Sequence, residues 1–251
     1  MNKYFKSTVF TILMIGSIES SYADFGFIQD KDGYVNVRGN SSLNSKVTSK
    51  LNNNEIVSCV MEEGTNNFCL VNASNGVTGF VYKNRVNNFS GYNSIKLSQY
   101  SREKVIYSDK NITVEVYAKR SILDPKLYKT FKGEYKYFNN KKFFGTDGTL
   151  PNNDFLQLDK IIIKSKDKKI EIGKNDIEQY FFPKNGIDGD KNELADFKIY
   201  YLNNNIFILN TFNNGGAAAY NIVLNIKRAL LHKDLKVKTS HIYSNLSDNS
   251  G

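Results

Sequence analysis

The chain has 251 residues, of which 40% are hydrophobic and 13% aromatic, so it holds enough apolar material for two domains or one large packed core. Its formal net charge of +9 suits an acidic partner. The basic residues are spread along the chain and form no concentrated tract, which argues against a nucleic-acid-binding protein.

The first 23 residues have the pattern of a secretory signal peptide. Two early lysines give a positive start, residues 7–18 are mostly apolar, and Ser21-Tyr22-Ala23 places small residues where a signal peptidase reads them. We therefore expect cleavage between Ala23 and Asp24. An uncleaved anchor is the alternative, but the run is shorter than the ~20 apolar residues of a membrane span. We expect a periplasmic or secreted protein with no stable membrane insertion after cleavage.

Short alternating runs follow, each bounded by a cluster of Gly, Asn or Ser. This pattern is typical of short strands joined by tight turns. The runs lie at 33–38, 47–51, 55–60, 68–71 and 79–86. We predict a small barrel-like β-domain over residues 24–88.

Two segments of this domain resemble a known family. Gly33-Tyr-Val-Asn-Val-Arg38 and the ending Gly79-Phe-Val81 resemble the opening and the close of a bacterial SH3-like domain, and Phe68 stands where that family usually has Trp. The resemblance covers roughly a quarter of the chain. It implies a small β-barrel that either binds cell-wall peptides through aromatic and acidic groove residues or serves as a passive targeting module.

Four residues are candidates for ligand binding. Tyr34, Phe68 and Tyr82 either form an aromatic groove or belong to the barrel core. Arg38 either contacts the ligand or makes a charge-assisted bond to a nearby loop carbonyl or carboxylate.

The chain has two cysteines, Cys59 and Cys69, on neighbouring predicted strands. An oxidising compartment permits a disulfide between them, and two buried free thiols are the alternative.

We place a linker at residues 89–95, a β-rich C-terminal domain at 96–244 and a flexible tail at 245–251. Apolar residues alternate at 112–116, and charged or Asn-rich turns at 164–169 and 203–205 predict hairpins.

Two short helices are expected in this domain. One begins at Asp124-Pro125, with apolar residues at helical spacing up to Phe131, and the other covers 176–181. The predicted fold class is therefore mainly β: a small SH3-like barrel followed by a larger antiparallel β-rich domain with one or two short helices.

No set of residues points to catalysis, a cofactor or a metal. His232 and His241 are too few for a zinc site, and the carboxylates Glu134, Asp147, Asp154 and Asp159 show no distinctive pairing. Asp188, Asp190 and Asp196 lack the full calcium-loop pattern, so we interpret them as a polar turn. The small-residue string 213–219 is interpreted as a turn into a tightly packed strand.

Three hypotheses for function remain. The preferred one is a non-catalytic exported recognition protein that binds a protein partner, specifically an immunity-type protein that neutralises a secreted antibacterial toxin. It is favoured by the export signal, the small adaptor-like domain and the lack of a catalytic set. The alternative is an envelope protein that binds peptidoglycan through a cell-wall peptide, and a cell-wall hydrolase comes third.

Overall fold

The structure is a computed structural model that describes residues 24–61, 64, 67–73, 75–166, 168–185, 193–203, 205–212, 218–227 and 236–242. The predicted signal peptide, with Ala23, and the predicted flexible tail lie outside these residues. Most of the described residues are in strands, so the predicted mainly β fold is confirmed.

The first sheet has seven antiparallel strands in the order β3-β2-β6-β5-β4-β1-β7. The strands are β1 (Asp24–Ile28), β2 (Tyr34–Arg38), β3 (Val47–Asn52), β4 (Ile56–Val60), β5 (Phe68–Ala73), β6 (Thr78–Tyr82) and β7 (Val86–Asn87). A 3-10 helix at Lys83–Arg85 connects the last two strands. The alternating runs in the sequence predicted β2 to β6, whereas β1 and the short strand β7 were not predicted.

The first sheet curls around a small core of aliphatic side chains and the two cysteines. Val35 and Val37 of β2 face this core, as their alternation with polar neighbours predicted. Gly79 lets β6 approach β2 closely, because a Cβ at this position would lie 2.7 Å from the Arg38 carbonyl oxygen, and its φ of +146° suits only glycine.

The second sheet has ten antiparallel strands in the order β15-β14-β10-β9-β8-β17-β18-β19-β20, with β16 also paired to β14. A separate three-stranded sheet has the order β11-β12-β13. The strands are β8 (Asn93–Ser101), β9 (Lys104–Ser108), β10 (Thr113–Arg120), β11 (Tyr128–Phe131), β12 (Glu134–Phe138), β13 (Lys141–Lys142), β14 (Phe155–Ser165), β15 (Lys168–Ile172), β16 (Phe181–Pro183), β17 (Lys198–Leu202), β18 (Asn205–Phe212), β19 (Tyr220–Lys227) and β20 (Lys236–Ile242). The hairpins β14–β15 and β17–β18 confirm the two predicted turns.

The helical predictions are corrected in part. Asp124 caps a single 3-10 turn, Pro125–Leu127, through a 3.0 Å bond from the Lys126 amide, but the chain then enters β11. The helix predicted at 176–181 is wrong in its bounds. Helix α1 covers Lys174–Ile177, and Phe181–Pro183 is strand β16, since Phe181 and Phe182 are buried where this segment pairs with β14.

The ten-stranded sheet has a buried inner face and an outer face that differs between its two halves. Aliphatic residues such as Val105, Val116, Ile161, Ile208 and Leu224 fill the inner face. On the outer face of β17, β18 and β19, an aromatic and aliphatic cluster packs against the first sheet. We call this cluster the sheet interface; it comprises Phe25, Phe27, Ile56, Phe89, Tyr92, Tyr200, Phe207, Leu209 and Val223.

Candidate functional site

A groove on the first sheet brings all four predicted ligand-binding residues together. It has a volume of about 330 Å³. Its lining comprises Asp30, Asp32, Tyr34, Val35, Asn36, Arg38, Leu43, Phe68, Tyr82, Asn84 and Arg85. The groove therefore lies where β2, the ends of β5 and β6, two loops and the 3-10 helix meet.

Strand β2 supplies one wall of the groove through its alternation. Tyr34, Asn36 and Arg38 point away from the core because Val35 and Val37 occupy the opposite face. Tyr34 is 37% exposed, and the Lys50 ammonium nitrogen lies 4.0 Å from the centroid of its ring. This cation–π contact holds the ring at the surface, where a ligand can reach it.

Strands β5 and β6 supply the aromatic floor. Phe68 and Tyr82 are opposite each other in the register, and their rings meet edge to face with centroids 4.8 Å apart. Phe68 is only 6% exposed, while Tyr82 is half-buried. The sequence left two alternatives for these residues, a place in a groove or a place in the core. Both residues line the groove; Phe68 is buried there, and Tyr82 is half-buried.

Arg38 has a fixed position at one end of the groove. Its Nη1 donates to the Ser45 carbonyl oxygen at 2.8 Å, which is the loop-carbonyl bond that the sequence predicted. The guanidinium has five N–H donors, so one such bond leaves others for a ligand.

The charges of the groove are balanced, two aspartates against two arginines. Asp30 and Arg85 form an ion pair, with 3.2 Å between Oδ2 and Nε, and Asn53 bonds both the amide and the carbonyl of Asp30. Among the described residues, neither Asp32 nor Arg38 has an ion-pair partner. The groove thus offers one carboxylate, one guanidinium and a pair of aromatic rings in edge-to-face contact.

The sequence predictions missed several groove residues. Asp30, Asp32, Asn84 and Arg85 come from the β1–β2 loop and the 3-10 helix, and Leu43 comes from the β2–β3 loop. The sequence predictions missed these residues because the loops come together only when the strands pair in the register of the sheet. Leu43 could have been found from the sequence, because it is a large aliphatic residue inside a Ser/Asn-rich loop. In the structure its side chain is 63% exposed.

The disulfide prediction is confirmed. Cys59 and Cys69 are bonded, with Cα atoms 5.5 Å apart, so the alternative of two free thiols is wrong. Cys59 lies opposite Val71 in the β4–β5 register, so the bond crosses the two strands diagonally. It joins β4 to the strand that carries Phe68, and it therefore supports the floor of the groove.

The other candidate residues lie elsewhere. Asp159 bonds Lys119 at 2.8 Å and Glu134 bonds Lys136 at 2.5 Å, so two of the four carboxylates form ion pairs. His241 lies in β20, opposite Ile222. His232, Asp188, Asp190 and most of the 213–219 string lie outside the described residues.

The described part of the chain contains no group of three or more His, Cys, Asp or Glu side chains that could hold a metal ion. Within the same residues, no helix has the length and apolarity needed to cross a membrane.

Comparison of the chain with protein-family models, with curated proteins and with solved structures gave no match. The groove is therefore assigned from its own geometry and chemistry.

Proposed function

We propose that this chain is a non-catalytic exported recognition protein whose groove binds a peptide segment of a partner protein. The observation that carries the proposal is the groove itself. An exposed Tyr34, the Phe68–Tyr82 pair, and the charges of Asp32 and Arg38, which form no ion pair within the described part of the chain, surround one cavity. Aromatic side chains and arginine dominate the energetics of protein recognition when they occupy such positions.

In its specific form, the proposal is an immunity-type protein that neutralises a secreted antibacterial toxin. This form is supported by the signal-peptide pattern and by the disulfide, which suits an oxidising compartment. Residues 24–88 are proposed as a bacterial SH3-like domain. The support for this assignment is that the Asn-Val-Arg and Gly-Phe-Val segments meet in the sheet, where Arg38 pairs with Phe80.

A second candidate is binding of the cell-wall peptide of peptidoglycan. The observation that favours it is the presence of both Asp32 and Arg38 in one groove, because a short peptide with free amino and carboxyl groups can pair with both.

The test uses mature protein, residues 24–251, carrying Tyr34→Ala together with Tyr82→Ala. We expect wild-type protein to retain a stoichiometric protein partner, or to sediment with purified sacculi, and the double variant to lose that retention. Tyr137→Ala is the matched control because Tyr137 is 38% exposed, as Tyr34 is, but lies in β12. The single variant Tyr34→Ala guards against misfolding, since Tyr34 lies at the surface.

The outcomes separate the candidates. A protein partner whose toxicity is neutralised supports the immunity role, and sedimentation with sacculi alone supports the peptidoglycan role. Retention that is unchanged by both groove variants, or turnover of labelled muropeptides by wild-type protein, contradicts the proposal.

A further inference from the structure

The half of the ten-stranded sheet that lies away from the sheet interface carries a set of lysines that are far apart in the sequence. In the register of β8, β9, β10, β14 and β15, a second set of residues lies on the outer face of the sheet, opposite the buried inner face. We call this surface the lysine face; it comprises Lys96, Lys104, Glu115, Tyr117, Lys160, Lys164, Lys169 and Glu171. Five ammonium groups and two carboxylates give it a net charge of +3 by simple subtraction.

A buried carboxylate fixes two of these lysines. The Glu115 side chain is 7% exposed, and it accepts hydrogen bonds from Lys164 and from the Tyr117 hydroxyl, while Lys104 Nζ lies 3.2 Å from its Oε2. The Lys104 and Lys164 side chains nevertheless remain 36% and 49% exposed. Each ammonium has three donors, so both can bind a second anion without leaving Glu115.

Tyr117 extends the network to a third lysine. The ammonium nitrogens of Lys104 and Lys160 each lie 4.9 Å from the centroid of its ring. These lysines flank Tyr117 on the neighbouring strands β9 and β14. Three of the five ammonium groups are therefore held in place before any partner arrives, which lowers the ordering cost of binding.

We propose that the lysine face binds an acidic surface of a partner protein. This proposal rests on the proposed function in one respect, which is the choice of a protein as the partner. The groove plays no part in it. Charge complementarity selects an anionic partner. The pattern of the charges selects a protein over a uniform polyanion. The half-exposed Glu171 carboxylate pairs with Lys169 at 3.5 Å, so it partly neutralises this lysine and gives the face a mixed sign that a continuous anionic surface does not match.

The apolar content of the face supports the same choice. Ile106 is half-buried and lies in the same row of the register as Glu115, between the lysines of the rows on either side, whereas Ile162 in this row is buried. A folded or extended protein segment can place carboxylates over the lysines and an apolar side chain over Ile106.

The probe is a ten-residue peptide that mixes Glu with Val, titrated into the isotopically labelled mature protein at low ionic strength, with amide chemical shifts as the readout. We expect shifts in β9, β10 and β14, none in β2 or β6, and weakening of binding by added salt. The test variant combines Lys96→Gln and Lys160→Gln, neither of which contacts Glu115. We expect it to bind the peptide about fivefold more weakly or worse.

The matched control combines Lys126→Gln and Lys129→Gln, which remove the same net charge; both lysines are exposed, Lys126 just before β11 and Lys129 within it. Equal weakening by both double variants indicates diffuse attraction to the whole molecule and overturns the proposal. Peptide shifts in β2 and β6, or tight binding to phosphatidylglycerol vesicles with no peptide binding, also overturn it. The variant Tyr34→Ala with Tyr82→Ala is expected to bind the peptide as the wild type does, because the groove is separate from the lysine face. Failure of the lysine-face proposal in this test therefore leaves the groove proposal unaffected.

Discussion

Glu115 is a carboxylate whose acidity depends on its neighbours in three strands. Burial raises the pKa of this carboxyl, but hydrogen bonds from Lys164, Tyr117 and Lys104 outweigh burial and lower the pKa to about 2. A folded-state pKa below the ordinary value of 4.5 means that the ionised group stabilises the fold above pH 4.5. That stabilisation is lost as the pH falls from 4.5 towards 2.

We predict that Glu115→Gln removes this part of the acid sensitivity. The difference in the free energy of unfolding between wild-type and variant should shrink by on the order of 2 kcal/mol when the pH falls from above the unfolded pKa to near the folded pKa. Urea unfolding followed by circular dichroism at both pH values measures it. Glu171→Gln is the control because that carboxylate is half-exposed. An unchanged difference at the two pH values refutes the assignment.

At the scale of single residues, the sequence predicted the orientation and contacts of a side chain best where these depend on one strand alone. The alternation of Tyr34-Val35-Asn36-Val37 fixes which side chains face outward, and the Arg38 bond to a loop carbonyl followed from its position at the strand end. Burial of Glu115 was not predictable, because its neighbours Lys104 and Lys164 come from strands that only the register brings together.

At the scale of elements, the disulfide is the covalent support of the β4–β5 hairpin. It closes a short loop, because Cys59 and Cys69 have a sequence separation of ten. Closing such a loop restricts the unfolded chain and stabilises the folded state by about 2–3 kcal/mol.

We predict that replacing both cysteines by serine lowers the free energy of unfolding by about that amount. A reducing agent should destabilise wild-type protein and leave the double variant unchanged. Denaturant unfolding with and without reductant measures both effects, and alkylation followed by intact mass should find no free thiol in the wild type. A wild type that reacts with the alkylating agent without reduction shows that the bond does not form.

The segment from Asp124 to Phe138 shows why helix prediction failed there. The cap and proline signals are real, but they start only one 3-10 turn. The next signal is Lys132-Gly133, whose φ values of +52° and +86° form a tight hairpin turn between β11 and β12. Tyr128 and Phe138 face each other across this hairpin and are buried with Phe181, so tertiary packing overrides the helical spacing.

At the scale of the whole molecule, the sheet interface joins the groove-bearing sheet to the larger one. Phe89 is 3% exposed, and its ring stacks on Tyr200 with centroids 4.5 Å apart and an interplanar angle of 3°. It also meets Phe27, Tyr92 and Phe207 within 5.2–5.7 Å. The predicted linker at 89–95 thus contains a residue that packs against both sheets.

We predict that Phe89→Ala uncouples the two sheets. Truncation of a buried phenylalanine costs about 3–5 kcal/mol, and here the loss falls on the contact between two separate cores. Calorimetric unfolding should change from one transition to two, with the disulfide-bonded sheet unfolding separately. Phe131→Ala is the control because Phe131 is 55% exposed. A single transition in Phe89→Ala shows that the interface does not couple the sheets.

The groove was predictable in its aromatic residues and unpredictable in its shape. Tyr34, Phe68 and Tyr82 followed from a family resemblance, whereas Asp32 and Asn84 come from loops whose meeting depends on the curl of the whole sheet. The lysine face has the same origin, since a chain with dispersed lysines gives a concentrated surface only after the strands pair.

The proposed role of the groove is to bind the partner protein. The most direct test of this role is the affinity of a purified partner for wild-type and variant protein, measured by isothermal titration calorimetry. We expect Tyr34→Ala with Tyr82→Ala to weaken binding by about tenfold or more, because truncating aromatic anchors at the centre of an interface removes well-packed contacts. Tyr137→Ala should bind as the wild type does. Equal affinity for the wild type and a correctly folded groove variant would contradict the account.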